Sequence, residues 1–349
     1  MMRVSCSQCQ PLQDFLQQGY VTVLSKYPEI INIIVSEAKL QQLTKQQSTS
    51  FTFQFISFQQ LYSTLELIQH VLEEKLDIDA DLYASIHEKP GEENPFYHLL
   101  SFRELLERVK NPSLVEVIKN SYFTNHIQPI ISLNDERVIA YEFLLRSSHE
   151  QYPFKPFELF SFAQKTGLQA LLDANARKQA IQYSAENLSN GKLRFINFLP
   201  SSIYNPRHCL KSTFENIEKY KVNPADLVFE VVETEKIKDI THLQSIFQAY
   251  KKEGMKVALD DVGAGYATVE VLKELLPDYA KIDRAMISYC DQSEEKQVEL
   301  QRIVEVAKEF NIQTLAEGIE RKEELEFCKA IGMDLAQGYY IGKPGPKPL

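Results

Sequence analysis

The sequence lacks a basic surplus: 38 Lys and Arg stand against 48 Asp and Glu, for a formal charge of −10. Nonspecific nucleic-acid affinity comes from clustered cations that neutralise phosphates, so a nucleic-acid polymer is not expected as partner. A phosphorylated small molecule stays compatible, because a bound metal can supply positive charge locally. Long apolar runs are also missing. The run "EIINIIV" at 29–35 falls far short of the roughly 20 residues that a membrane helix needs, so no membrane span is expected. No signal peptide is read ahead of it, and the expected location is cytoplasmic. Cysteine is scarce, with five residues spread through the chain, which suits a reducing compartment rather than a disulfide framework. Cys6 and Cys9 form a lone CxxC without a second pair at zinc-finger spacing; a structural zinc or redox role and incidental thiols both stand. The dinucleotide fingerprint GxGxxG is absent, since Gly263 and Gly265 lie in "GAGYAT", where turn glycines suffice.

What is present is a globular composition, 44% hydrophobic and 25% charged, in 349 residues, enough for one large core or two smaller ones. The polar stretch "HEKPGEENPF" at 87–96 reads as a linker or long loop. Before it, "FTFQFISF" alternates like a strand and "QQLYSTLELIQHVLEEKL" has helical spacing, so residues 1–95 are expected to form a small α+β domain. Residues 96–122 read as a helical linker with Pro112 at a first-turn position, and 123–349 as a second domain.

In that second part short apolar runs alternate with helix-periodic segments. "HIQPIISL", "VIAYEFLL", "LRFINFL", "LVFEVV", "KVALDD", "YAKID", "IQTLAEG" and "AQGYYIG" read as strands. Repeated strand-then-helix units mean a parallel sheet covered by helices, and the strand number suits a modified (β/α)8 TIM-like barrel of the α/β class; an open doubly wound sheet is the alternative. Only "NDE" separates the first two strands, so they form a hairpin and one strand runs antiparallel.

Almost every one of these strands carries a polar residue near its C-terminal end: Glu142, Asn197, Glu230, Asp260 with Asp261, Lys281, Glu317 and Gln337. Burying carboxylates costs several kcal/mol or more unless they are paired. Parallel strands would bring these groups to one rim, the face where active sites of such barrels sit. Five carboxylates there outnumber one lysine and one arginine, and divalent cations resolve the excess. Oxygen ligands without His or Cys favour Mg²⁺ or Mn²⁺ over zinc. Two such ions bridged by a shared carboxylate are an apparatus for phosphoryl chemistry, and the adjacent Asp260 and Asp261 suit the bridge. The competing reading makes each acid a helix cap or a salt-bridge partner.

Residues 123–345 resemble the EAL domain, the cyclic di-GMP phosphodiesterase family. The resemblance is carried, in order, by "QPI" at 128–130, "EFLLR" at 142–146, "NFLPSSI" at 197–203, "EVVE" at 230–233, "DDVGAGYAT" at 260–268, "KID" at 281–283, "AEGIE" at 316–320 and "QGYYIGKP" at 337–344. It implies hydrolysis of cyclic di-GMP to linear pGpG with two Mg²⁺ or Mn²⁺ ions. By the same resemblance, Glu142, Asn197, Glu230 and Asp260 are ligands of one metal, and Asp260, Asp261 and Glu317 of the other. Lys281 resembles the lysine that contacts the water nucleophile, and Gln337 the glutamine that supports it. Glu317 is ranked as a ligand ahead of a base. Gln128, Arg146 and Asp261 match substrate-contacting positions, and Glu233 one that steadies the loop after Asp261. A homodimer is implied as well, with the N-terminal domain as a regulatory element or a site for a protein partner.

Departures from the family pattern are Phe143, Val232, Val262 and Ala264, none of them a metal ligand. Inert EAL domains that bind the dinucleotide or a partner protein form the alternative reading. Asp283 fits either the site or a helix cap, and Tyr339 and Tyr340 are expected in core and rim packing.

Overall fold

The structure, a computed structural model, describes residues 12, 14–40, 42–75, 81–89, 99–231, 239–264 and 267–349. Cys6, Cys9, Val232, Glu233 and most of the expected 87–96 linker lie outside the described residues. The chain divides into two compact units, one running to Ser121 and including Phe157–Leu171, the other formed by Tyr122–Pro156 and Leu172–Leu349.

In the first unit the order is β1 (Gly19–Ser25), α1 (Pro28–Ala38), β2 (Leu43–Gln47), β3 (Ser50–Phe55), α2 (Phe58–Lys75), β4 (Leu82–His87), β5 (Leu100–Ser101), α3 (Phe102–Lys110) and α4 (Pro112–Asn120). The five strands pair antiparallel in the order β2-β3-β1-β4-β5. Alternation along β1 and β3 turns Val21, Val23, Phe51, Phe53 and Phe55 into one core, which Leu61, Leu65, Ile68 and Leu72 of α2 join at helical spacing. α3, expected as a linker helix, adds Phe102, Leu105, Leu106 and Val109 to this core. Its start is set by a capping box, with Ser101 Oγ accepting from Glu104 N at 3.2 Å and Glu104 Oε2 accepting from Ser101 N at 2.8 Å. Pro112 occupies the first turn of α4, where its missing N–H is not needed.

The second unit holds the eight expected strands: β6 (Phe123–Ser132), β7 (Val138–Ser147), β8 (Leu193–Phe198), β9 (Leu227–Val231), β10 (Lys256–Val262), β11 (Tyr279–Ile282), β12 (Gln313–Ala316) and β13 (Leu335–Gln337). Between them run α5 (Pro156–Lys165), α6 (Gln169–Asn187), α7 (Pro206–Cys209), α8 (Lys211–Tyr220), α9 (Ile240–Lys252), α10 (Val269–Leu275), α11 (Arg284–Ile287), α12 (Glu294–Glu309) and α13 (Lys322–Ala330). α5 is grouped with the first unit. The strands close into a barrel, not an open sheet, and only β6 runs antiparallel to both of its neighbours, β7 and β13.

Outward residues of the barrel strands join the surrounding helices in the main apolar cluster. Inward, Ile130, Ala140, Phe195, Val228, Ala258, Tyr279, Leu315 and Leu335 form a second cluster, one residue from each strand. Toward the strands' N-terminal ends the guanidinium of Arg194 is buried. It donates to Asp226 Oδ2 at 3.1 Å and to the carbonyls of Lys192 and Ser189, while Gly191 N also donates to Asp226 Oδ2 at 2.8 Å. Breaking a buried ion pair by removing one partner strands the other charge. Asp226→Ala is therefore expected to cost about 3 kcal/mol, read from the midpoint of urea unfolding; an unchanged midpoint would show that the carbonyls alone satisfy Arg194.

Candidate functional site

Two residues beyond each member of the inner apolar cluster, a strand again points inward. From Ala140, Phe195, Val228, Ala258, Tyr279, Leu315 and Leu335 this step reaches Glu142, Asn197, Glu230, Asp260, Lys281, Glu317 and Gln337. β6 runs the other way, so the step from Ile130 goes back to Gln128, which pairs with Glu142 across the β6–β7 ladder. The site is therefore one polar layer on an apolar floor.

Lys281 is its centre. Its Nζ lies 2.8 Å from Glu317 Oε1, 2.9 Å from Glu230 Oε2, 3.0 Å from Asp260 Oδ1 and 3.8 Å from Glu142 Oε1. Amides fix one side of the layer. Gln337 Nε2 donates to Glu142 Oε2 at 2.6 Å and to Gln128 Oε1 at 3.1 Å, and Asn197 Nδ2 donates to Glu142 Oε1 at 3.3 Å. Gln128 Nε2 in turn donates to Gly342 O at 3.1 Å. Asp261 follows with a left-handed backbone, φ 55°, and its N–H donates to Asp260 Oδ1 at 3.1 Å.

Charge does not balance within this layer, where four carboxylates surround one ammonium. Burial pushes the Glu230 and Glu317 carboxyls well above the ordinary carboxylate value, and neighbouring acids add to the rise. Burial pushes Glu142 up too, but the Lys281 charge and the amides of Gln337 and Asn197 outweigh it, leaving the group below its ordinary value. Burial lowers Lys281, yet the four carboxylates more than reverse this and hold it well above an ordinary amine. Its place among four carboxylates favours the charged ammonium, a hydrogen-bond donor rather than a base.

The donor set fits a hard divalent cation. Oxygens of Asp260, Asp261 and Glu317 lie within 4.8 Å of one another. Glu230 Oε1 is buried without a donor among the described residues, so this carboxylate needs either a cation or a proton shared with Glu142. All these donors are oxygens, as Mg²⁺, Mn²⁺ and Ca²⁺ prefer.

Other expected residues fall elsewhere. Arg146 shares the inward side of β7 with Glu142 by alternation but lies four residues further along the strand, and among the described residues it makes no ion pair with the carboxylates of the layer; its Nη1 donates to Leu145 O at 2.7 Å. Asp283 is a cap, accepting from Ala285 N at 2.8 Å. Tyr339 and Tyr340 are half exposed, not core, and Lys343 lies over the Tyr339 ring. Phe143 is buried against Tyr183 outside the barrel, because the residue next to an inward one points outward.

Sequence reasoning missed Glu324. Its buried carboxylate accepts from Tyr289 N, Glu320 N and Arg321 N at 2.9–3.0 Å, tying the chain after β11 to the chain after β12. An acid in the first turn of a helix is the signal, but exposed first-turn acids look the same in sequence. Asp173 and Arg177 of α6, both buried, were missed for a similar reason: charges four apart on a helix read as a surface pair.

A family model described as the EAL domain matches residues 112–344. The chain is 29% identical over 249 residues to the cyclic di-GMP phosphodiesterase PdeF of Escherichia coli, covering 70% of this chain and 33% of PdeF. It spans about a third to a half of the length of such curated relatives. A standalone EAL protein from Vibrio cholerae, solved in its c-di-GMP bound form, is 31% identical with a TM-score of 0.58, covering 64% of this chain and 93% of that one. BlrP1 of Klebsiella pneumoniae, a calcium/cyclic di-GMP complex, is 20% identical with a TM-score of 0.59 and covers 94% of this chain and 96% of its own. That likeness, of fold alone, extends into the N-terminal unit.

The raised carboxyls make stability depend on pH. With metal chelated, the folded chain keeps protons on Glu230 and Glu317 that the unfolded chain releases. This contribution is complete below the ordinary Glu pKa of about 4.3 and is lost as pH rises through the raised values. In EDTA the thermal midpoint is expected to fall as pH is raised from about 5 to about 8, and Mn²⁺ is expected to counter the fall by binding the ionised carboxylates. Identical slopes with and without Mn²⁺ would remove the cation from the layer.

Proposed function

The chain belongs to the EAL domain family, and from that premise we propose that it is a cyclic-guanylate-specific phosphodiesterase, hydrolysing cyclic di-GMP to linear pGpG. One observation carries the reading: seven strand ends and the reversed β6 deliver a layer of carboxylates, amides and one lysine to the same rim. Glu142, Asn197, Glu230 and Asp260 would hold one Mg²⁺ or Mn²⁺, and Asp260, Asp261 and Glu317 a second. Bound there, divalent cations supply Lewis-acid charge that offsets the carboxylates and acidifies water.

The chain's own groups do the rest. Lys281, held as ammonium, donates a hydrogen bond to the attacking water oxygen and orients it. Gln337 locks Glu142 through its 2.6 Å hydrogen bond, so that this carboxylate keeps one orientation. Arg146 offers a fork of donors to a phosphate of the substrate, and Gln128, four residues along the β6–β7 ladder beside Glu142, is a second substrate-facing polar group. The water oxygen bonds to phosphorus in line with the bond to the 3′ oxygen; that bond breaks, one water proton is given up to solvent, and the 3′ oxygen takes up a proton and leaves as a hydroxyl, opening one of the two diesters.

Among the described residues, the departures Phe143, Val262 and Ala264 spare this layer. Phe143 packs outside the barrel, Val262 is buried in the sheet–helix cluster, and Ala264 N donates to Asp261 O at 3.1 Å. That supports turnover over the alternative of a binding-only domain. The N-terminal unit, with its own core, suits a regulatory or partner-binding role in a cytoplasmic homodimer; the family resemblance supports the dimer.

Purified full-length protein incubated with cyclic di-GMP and Mn²⁺ is expected to yield pGpG on chromatography. Intact substrate after long incubation, with binding retained, would leave the binding reading instead. Glu142→Ala is expected to abolish turnover through loss of a ligand and of the Gln337 and Asn197 hydrogen bonds; an unchanged rate would exclude Glu142 from the metal set.

A further inference from the structure

Asn197 is the next-to-last residue of β8, and its usefulness depends on where the chain goes afterwards. Its Nδ2 is engaged with Glu142, so Oδ1 is the atom left to face a cation. Immediately beyond β8 the chain passes through Leu199 into a 3₁₀ turn at Pro200–Ser202. That turn is gripped from α6. Asp173 Oδ1 accepts from Leu199 N at 3.0 Å, and Asp173 Oδ2 accepts from both Ser202 Oγ and Arg177 Nη1. Arg177 Nε reaches on to Thr213 Oγ1 of α8 at 3.2 Å. All four side chains are buried, between 2% and 6% exposed.

An ion pair so deeply buried adds little net stability, because desolvation offsets most of the attraction, and apolar replacement of both partners is often neutral. What the pair adds here is geometry. The carboxylate is the acceptor for a backbone N–H two residues past Asn197 and for the hydroxyl that ends the turn.

We infer that Asp173 and Arg177 are positioning residues for Asn197, holding the end of β8 so that Asn197 spans Glu142 and the cation. The inference rests on the reading of Asn197 as a ligand. It adds residues outside the polar layer that set metal affinity.

The test compares full-length variants by Mn²⁺ titration without substrate, alongside turnover and thermal unfolding. Asp173→Leu with Arg177→Met removes both charges of the pair together, and is expected to fold with a midpoint lowered by the loss of the Leu199 N acceptor while its Mn²⁺ dissociation constant rises about 10-fold, the lower end of what losing a ligand's supporting group costs. Asp173→Asn with Arg177→Gln, which keeps an acceptor for Leu199 N, is expected to stay within about 3-fold of the parent. A folded Leu/Met variant with parental Mn²⁺ affinity overturns the inference, as does equal weakening in both double variants. Should the Leu/Met variant fail to fold, Ser202→Ala removes the hydroxyl that contacts both Asp173 Oδ2 and Leu199 O and is expected to raise the dissociation constant about 3-fold; no change there also overturns it. A parent that binds Mn²⁺ but leaves cyclic di-GMP intact defeats the hydrolase reading alone, whereas a parent that takes up no Mn²⁺ defeats both.

Discussion

A strand returns to the same face every second residue, and the second unit of this protein depends on that step taken once around a closed barrel. One level is apolar, from Ile130 through Leu335, and the next is polar, from Gln128 through Gln337. The apolar level makes the interior a packed core; the polar level above it must then resolve its own charge. Lys281 touches four carboxylates and still leaves an excess, which protons on the raised acids or a bound cation relieve. Stability and chemistry are thus set by the same groups. The acids that cost the fold most when ionised are the ones best placed to hold a cation.

Precision in that layer comes from outside it. The amides of Gln337 and Asn197 orient Glu142, Asp173 grips the turn after Asn197, and Glu324 gathers three backbone N–H groups from the chain around Lys281 and Glu317. Gln337 is itself placed by backbone: Ile319 N donates to its carbonyl at 3.0 Å and Tyr340 N to Ile319 O at 3.0 Å. The two segments approach so closely that a Cβ on Gly338 would lie 2.1 Å from Ile319 O, leaving room for glycine only.

Much of this was legible in the chain. The eight barrel strands, the hairpin between β6 and β7, and the polar residue near each strand's end follow from periodicity and from turn residues. The identity of the inward residues was legible too, since burying Glu, Asp and Lys at regular places in apolar runs needs a shared reason. Other features were hidden because one local pattern serves two environments. Asp173 and Arg177 look like a surface pair, Glu324 like an ordinary first-turn acid, and Phe102 through Val109 like a linker helix when they complete the N-terminal core. Tyr339 and Tyr340 read as packing residues and are half exposed, because β13 ends at Gln337 and the alternation that would bury one of them stops there.

By itself the sequence determined which side chains share a strand face and what chemistry each strand carries inward, because alternation is local and a step of two residues needs no knowledge of the rest of the chain. It also set the hard-oxygen character of the donors, which is a matter of residue type. Only the tertiary structure decided that the sheet closes, that β6 enters reversed so that Gln128 meets Gln337 and Glu142, and that Lys281 lands among four acids. It alone showed the buried carboxylates of Asp173 and Glu324 holding the loops in place. Those outcomes join segments far apart in the chain, and the free energy that selects them, burial of apolar surface against the cost of desolvating charge, is defined only once the segments have met.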